Sequence, residues 1–225
     1  MLKQILQDSR SKLFSLYETR RLKDTNFAII SNNCWGYELY HSVNREYNTP
    51  FIGLFMLPDC YLRFLADFDS LINEEPRLSN TSKYFDKPRY YPVGVVGDGI
   101  EIHFLHYKSL DEALHKWTRR TERLQKAIKN DTPLFIKLCD NESCTIEHLA
   151  KFHTLPFKNK ISIGVQNLDS PNHIHVPELK EKNKNTIIDG AKLFNKRYRY
   201  FDITEWILNS KIKNTLTSKS FGLLS

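Results

Sequence analysis

The chain lacks any uninterrupted apolar run near the roughly 20 residues that a membrane-spanning helix needs. Its first residues have neither the long apolar core nor the small-residue cleavage site of a secretory signal peptide. Cysteine is scarce as well: Cys34, Cys60, Cys139 and Cys144 are too few and too scattered for a disulfide framework. Together these absences predict a cytoplasmic protein.

Metal and cofactor motifs are also missing. Four residues separate Cys139 from Cys144, where a zinc knuckle usually has two, and no second ligand pair follows. No phosphate-binding loop, dinucleotide fingerprint or nucleophile elbow occurs. Asp67 and Asp69 match the Asp-x-Asp pattern that holds a metal–nucleotide in many glycosyltransferases, but they lie in a predicted helix and not after a strand. We therefore predict no metal site and no cofactor.

Positive charge is what the chain has in excess. Its formal net charge is +7, which favours anionic partners: nucleotides, nucleic acid or an acidic membrane surface. Nucleic acid is disfavoured, because no helix-turn-helix, RNA-recognition or zinc-finger pattern appears. The 40% hydrophobic content over 225 residues is ordinary for a globular protein with a substantial core.

Strand-like and helix-like segments alternate along the chain. Strands are predicted at residues 26–31, 49–56, 133–138 and 160–165, and helices at 37–45, from 58 onward, 109–128, 145–152 and 203–208. Apolar runs at 91–96 and 100–107 surround a Gly-Asp-Gly turn, which predicts an antiparallel hairpin. The alternation predicts an α/β, Rossmann-like fold: a mostly parallel sheet, helices on both faces and one hairpin.

Composition divides the chain into three segments. Residues 1–24 predict a basic amphipathic helix, residues 25–210 a single α/β catalytic domain, and residues 211–225 a basic tail. The first helix either packs on the domain or contacts a membrane surface, and the sequence leaves both open.

The first candidate site follows the first strand. Ligands of open α/β sheets bind beyond the carboxyl ends of strands, and the polar turn there holds Asn32, Asn33, Trp35 and Gly36. The two amides offer donors and acceptors, Trp35 offers a flat face for a sugar or base, and Gly36 permits close backbone approach. The alternative is a tight turn around a buried Trp. Cys34 between them is a conceivable nucleophile, although a packing role is favoured.

The second candidate site is the hairpin strand that carries Glu101, His103 and His106. Because side chains alternate along a strand, Glu101 and His103 share one face. A histidine at a strand end is a candidate general base, although histidines on strands are more often structural.

The third candidate is the helix that follows. Lys116 shares a helical face with Arg120, and Arg119 shares one with Arg123. Only one acid, Glu122, lies among these four cations, so most of their charge has no local partner. They predict a diphosphate site or, alternatively, a solvated face. We expect this helix to meet the 32–36 turn in a single pocket for a phosphorylated sugar.

Five segments resemble, in order, a small bacterial family long described as of unknown function. They are Ile30-Ser-Asn-Asn-Cys-Trp-Gly36, Tyr47-Asn-Thr-Pro-Phe-Ile-Gly-Leu-Phe55, Tyr91-Pro-Val-Gly94, Glu101-Ile-His-Phe-Leu-His-Tyr107 and Lys116-Trp-Thr-Arg-Arg120. The likeness covers roughly residues 25–165, and members are often named as exopolysaccharide or capsule biosynthesis proteins.

The resemblance implies a glycosyltransferase of surface-glycan assembly, in a family that includes transferases of galactofuranose from a UDP donor. We expect an inverting, metal-independent transfer from a nucleotide-sugar to a glycan or lipid-linked glycan acceptor. Lys116, Arg119 and Arg120 would bind the diphosphate, while His103 or Glu101 would remove the acceptor proton.

Alternatives remain open from the sequence. His106 and Asp140 are further candidates for the general base. The same cations also suit phosphotransfer onto a polysaccharide precursor. A third possibility is a non-catalytic accessory protein that contacts a partner enzyme or the cytoplasmic membrane face.

Overall fold

The computed structural model describes residues 2–140, 143–182, 186–187 and 189–224. Its strands are β1 (Ala28–Ser31), β2 (Arg77–Ser79), β3 (Val93–Val96), β4 (Ile100–His103), β5 (Leu134–Cys139), β6 (Asn159–Gly164) and β7 (His173–His175). Its α-helices are α1 (Leu2–Leu22), α2 (Trp35–Ser42), α3 (Pro58–Ala66), α4 (Phe68–Leu71), α5 (Leu110–Lys129), α6 (Ile146–Thr154), α7 (Gly190–Phe194), α8 (Ile203–Asn209) and α9 (Leu216–Leu223).

The main sheet has four parallel strands in the order β1-β5-β6-β7. Strands buried on both faces must be apolar nearly throughout, as β1 and β5 are. One face packs against α3, α5 and α6, and the other against α1, α2, α7, α8 and α9. The prediction of a Rossmann-like α/β fold with helices on both faces is confirmed.

The predicted hairpin is confirmed as β3 and β4, whose turn places Gly97 and Gly99 at positive φ. It does not join the main sheet. With β2 it forms a separate three-stranded antiparallel sheet, in the order β2-β3-β4. β2 is absent from the strands predicted from the sequence, because three residues directly after Pro76 are too short to show a strand pattern.

The strand predicted at residues 49–56 is wrong. Only one bridge forms there, in which the backbone N–H of Phe55 and that of His103 each donate to the other residue's carbonyl at 2.9 Å. Gly53 adopts a φ of +70°, which no extended strand allows. The run is apolar because it is buried, and not because it pairs in a ladder.

The start of α5 is confirmed in part. The hydroxyl of Ser109 accepts the backbone N–H of Glu112, as an N-cap should. Glu112, three residues after Ser109, is spaced for a capping box but does not complete one, because its carboxylate accepts the N–H of Lys108 at 2.7 Å and not that of Ser109.

α1 packs against the domain, with Phe14, Glu18 and Leu22 fully or almost fully buried. The carboxylate of Glu18 accepts hydrogen bonds from Arg197 Nε at 2.6 Å and from the Tyr198 hydroxyl at 2.8 Å. α9 covers the same region, since the Phe221 ring lies 4.8 Å from that of Phe14. Of the helices in the described ranges, none is long and apolar enough to cross a bilayer.

Replacing Glu18 tests whether α1 is part of the folded domain. Glu18→Ala should lower the free energy of unfolding by about 3–5 kcal/mol, because it leaves the Arg197 charge buried without a partner. Urea titration measures the change. Asp24→Ala, which removes an exposed contact with Lys23, is the control and should change it by under about 0.5 kcal/mol. Equal effects of the two variants would show that α1 is not docked in solution.

Candidate functional site

The polar turn leaves the sheet where β1 and β5 end together. The Asn32 side chain continues their pairing: Nδ2 donates to the Cys139 carbonyl at 3.2 Å, and Oδ1 accepts the Cys139 N–H at 2.9 Å. Asn32 is completely buried by these contacts. The prediction that Asn32 binds substrate is therefore wrong for this structure, and its amide positions the residues that follow.

Trp35 and Gly36 also serve packing. The Trp35 ring is completely buried, with the Phe194 and Trp206 rings 5.5 and 6.2 Å away, so it has no face to offer a ligand. A Cβ on Gly36 would lie 3.0 Å from Ile29 Cγ2, which shows that this glycine lets α2 approach β1. The ligand roles predicted for both are wrong, and the alternative of a turn around a buried Trp is confirmed.

A buried lysine that the sequence reading missed lies behind this turn. Lys137 on β5 is completely buried; its Nζ donates to Asn33 Oδ1 at 2.9 Å and contacts the Cys139 thiol. Burial lowers the pKa of Lys137, although the neighbouring thiol favours its charged form. The signal for it was a single Lys inside the apolar run Leu134–Cys139.

A cavity of about 660 Å³ opens at this edge of the sheet. We call it the main cavity, and α2, α5, the loop after β4 and the start of α7 form its walls. Side chains able to bind or react line it: Cys34, Glu38, His106, Lys116, Arg120 and Asp189. The structure thus brings the 32–36 turn and the cations of α5 together, and the turn reaches the cavity through Cys34.

Arg120 is the unusual group of the main cavity, because only 7% of it is exposed. Its Nη1 donates to the Tyr107 hydroxyl at 2.6 Å and to the Ile52 carbonyl at 3.4 Å, and its guanidinium lies 5.0 Å from the Tyr47 ring centre. No carboxylate in the described part of the chain pairs with it. A buried charge with only neutral partners is costly, and an anion in the cavity would offset that cost.

Three other cations of α5 do not all share one face of the helix, and only one of them lines the main cavity. Lys116 lines the main cavity and pairs with Glu112 at 2.6 Å. Arg123 pairs with Glu46 at 2.6 Å, and Arg119 is exposed outside the cavity. The diphosphate role predicted for Lys116 and Arg120 keeps its geometric basis, whereas the one predicted for Arg119 loses it.

A second cleft of about 420 Å³ adjoins the main cavity. Its walls carry Asn33 and an aromatic group, Phe55, Phe85, Tyr90 and Tyr91. Cys34, Leu105 and Asp189 line both spaces, so the two are adjacent. Burial raises the pKa of the Cys34 thiol to about 11, which argues against the nucleophile considered for it.

Two of the predicted general bases lie beneath this cleft instead of in it. Glu101 and His103 share a face as predicted, 3.3 Å apart, but both are buried. Glu101 accepts hydrogen bonds from the Ser82 hydroxyl at 2.5 Å and the Lys83 N–H at 2.7 Å. Because they are covered by residues 82–91, neither can reach an acceptor hydroxyl, and the prediction that they are catalytic is wrong for this structure.

Of the remaining candidates, His106 lines the main cavity and Asp140 does not. The completely buried Asp140 carboxylate accepts the backbone N–H groups of Val165, Gln166 and Ile187 at 2.6–3.2 Å. Burial raises the pKa of Asp140 to about 6 even though these donors favour its charged form. Asp140 therefore ties the end of β5 to neighbouring segments.

The buried His103 should make stability depend on pH. Burial lowers the pKa of His103 to about 4, so the unfolded chain takes up a proton before the folded one does. Wild type should lose up to about 1.4 kcal/mol per pH unit from this group as pH falls from about 6.5 to 4. His103→Phe should flatten that part of a urea-unfolding pH series. An unchanged slope would show that the imidazole titrates normally in the folded protein.

The fold and the cavity at its carboxyl edge make the chain a Rossmann-like α/β domain with a cation-lined site. The chain belongs to the family described as "Domain of unknown function (DUF1919)", whose model matches residues 5–208. It is 37% identical over 142 residues to an uncharacterized protein of Haemophilus influenzae, strain ATCC 51907 / DSM 11121 / KW20 / Rd. That match covers 63% of each chain, so it spans less than two thirds of the relative's length.

Proposed function

We propose that the protein is a glycosyltransferase of bacterial surface-glycan assembly that binds a nucleotide-sugar in the main cavity. The observation that carries the proposal is the buried Arg120 guanidinium, whose described hydrogen-bond partners are all neutral. The sequence resemblance supports the choice of a sugar donor, and it makes UDP-galactofuranose the first donor to test.

The donor fits the cavity by its chemistry. Arg120 and Lys116 face the diphosphate. The guanidinium of Arg120 suits bidentate hydrogen bonds to its oxygens, and the ammonium of Lys116 acts as a point charge. Tyr37 and Tyr47, whose ring centres lie 5.9 Å apart, line the same cavity and offer faces to the base or the donor sugar. They take the stacking role that the sequence reading assigned to Trp35.

The reaction is a single displacement with inversion. An acceptor hydroxyl oxygen bonds to the anomeric carbon, while the bond from that carbon to the phosphate oxygen breaks and leaves its electron pair on the diphosphate. Arg120 and Lys116 stabilise the charge that develops there. The hydroxyl proton passes to a base that lines the cavity, for which His106, Glu38 and Asp189 are available.

Phosphotransfer onto a polysaccharide precursor would use the same two cations. The products separate the two reactions, because transfer of a sugar makes a glycosidic bond and releases UDP, whereas phosphotransfer makes a phosphodiester. Mass spectrometry of the acceptor product therefore decides between them.

Removing the buried cation tests donor binding. Arg120→Met keeps the packed stem but should weaken UDP binding in calorimetry by about 10–100-fold, since charged hydrogen bonds contribute roughly 1.5–3 kcal/mol. Arg119→Met is the matched control, because it removes the neighbouring exposed cation outside the cavity. Equal UDP affinity of wild type and Arg120→Met, or no UDP binding by wild type, would contradict the proposal.

We also propose that the protein contacts the cytoplasmic face of the membrane, where a lipid-linked acceptor would be found. Leu16 on α1 and Leu216 and Leu223 on α9 are 70%, 86% and 89% exposed. Arg10 of α1 donates to the carbonyl of Leu224 at 2.9 Å, so the two helices are neighbours. Basic residues lie within four positions of each of these leucines in the sequence, and residues 209–225 contain no acid. Apolar side chains among cations suit an acidic lipid surface, and they are also the feature that favours the alternative of an accessory protein.

Vesicle binding tests this surface. The Leu216→Ser/Leu223→Ser double variant should sediment with phosphatidylglycerol-containing vesicles at least 10-fold more weakly than wild type, because both side chains lose apolar burial in the lipid. Leu110→Ser on α5, where the side chain is 43% exposed, is the control. Equal sedimentation of the double variant and the control would contradict membrane contact through α9.

A further inference from the structure

The second cleft presents an aromatic ring to solvent. Tyr90 is 87% exposed, yet its ring packs edge-on against Tyr91 at 4.9 Å between ring centres. Phe55 and Phe85 complete an aromatic wall in the same cleft. A large ring that is both exposed and supported from one side is available for stacking with a ligand.

The half-buried Arg89 and buried groups beneath the cleft hold that wall in place. The Arg89 guanidinium lies 4.3 Å from the Phe85 ring centre, and its Nε donates to the Tyr91 hydroxyl at 3.0 Å. The Tyr91 hydroxyl lies 3.5 Å from His103 Nδ1, and Glu101 holds the start of the same segment through Ser82 and Lys83. The buried histidine and glutamate therefore support the cleft from below, and its aromatic wall is formed before a ligand arrives.

Asp189 lies where the cleft joins the main cavity. Its Oδ1 accepts the backbone N–H groups of Ala191 at 2.8 Å and Lys192 at 3.2 Å, which fixes the carboxylate. Within the described part of the chain, Oδ2 accepts no hydrogen bond. Cys34 and Leu105 also line both spaces, but a thiol of raised pKa and an apolar side chain cannot serve as the base.

We propose that the second cleft binds a sugar ring of the acceptor, stacked on Tyr90, with the reacting hydroxyl directed at Asp189. A sugar ring has an apolar C–H face that suits the negative face of an aromatic ring. Its rim of hydroxyls suits the charged groups of this cleft, Arg89, Lys192 and Asp189. The inference rests on the proposed function for calling this sugar the acceptor.

In the transfer step, the acceptor oxygen attacks the anomeric carbon of the donor bound in the main cavity. The proton of that hydroxyl moves to Asp189 Oδ2, and the electron pair of the broken glycosyl–phosphate bond leaves on the nucleoside diphosphate. Asp189 is thereby assigned as the catalytic base in place of the buried Glu101 and His103.

Saturation-transfer NMR tests the cleft without turnover. The probes are the methyl glycosides of galactose, glucose and N-acetylglucosamine, added to wild type with and without UDP. At least one should receive saturation mainly on its ring C–H protons, and UDP should not displace it. Tyr90→Ala should abolish the signal and Tyr90→Phe should retain it, because phenylalanine keeps the stacking face.

Three results would overturn the subsite: no glycoside binds wild type, Tyr90→Ala binds it equally well, or Tyr90→Ala weakens UDP binding more than 5-fold. The last result would assign the cleft to the nucleoside. Glycoside binding to a protein that does not bind UDP would instead leave the subsite in place and contradict the donor site alone.

Release of UDP from a bound donor, with the bound glycoside as acceptor, tests Asp189. Asp189→Asn should lower kcat by about 100-fold or more and leave UDP affinity within 3-fold, as expected for loss of a general base. Asp24→Asn, which changes an exposed carboxylate that lines neither space, should stay within 5-fold of wild type. Equal kcat values for wild type and Asp189→Asn, or no UDP release by wild type, would overturn the role of Asp189.

Discussion

The pairing of the Asn32 amide with the backbone of Cys139 fixes the point at which the chain leaves the main sheet beside both candidate ligand spaces. These two hydrogen bonds extend the contact between β1 and β5 past the last ladder residues. The chain therefore leaves the sheet at a defined point and turns directly into α2, so that Cys34 lies where the main cavity and the second cleft meet.

Two buried cations lie on either side of that turn, and they differ in what surrounds them. Lys137 is enclosed by Asn33, Cys139 and the Trp35 ring, so its charge supports the turn from inside the sheet. Arg120 has neutral oxygens and aromatic rings around it and borders an open cavity. A covered cation is out of reach of a ligand, whereas a cation beside open space suits an anionic one. In the proposed donor site, the attraction between the Arg120 charge and the diphosphate is therefore the main contribution to binding.

Much of the fold could be predicted from the sequence, and the site only in part. Sequence pattern predicted the strands β1, β5 and β6 from their apolar runs, and the hairpin from its Gly-Asp-Gly turn. Residues 49–56 misled those rules, because an apolar run is equally compatible with a buried segment that forms a single bridge. Spacing also placed Lys116 and Arg120 on one helical face, since residues four apart lie together. Only the structure decided that this face, and not that of Arg119, meets the cavity.

Burial is what the sequence could not decide. Residue types alone determined that the chain is an α/β domain with a basic helix and a polar turn after its first strand, because periodicity and charge are local properties. Only the tertiary structure decided that Trp35, Glu101 and His103 are enclosed while Tyr90 and Asp189 are open to solvent or cleft. The reason is physical: a side chain's access to a ligand depends on which distant segments pack over it, and that packing arises only when the whole chain folds.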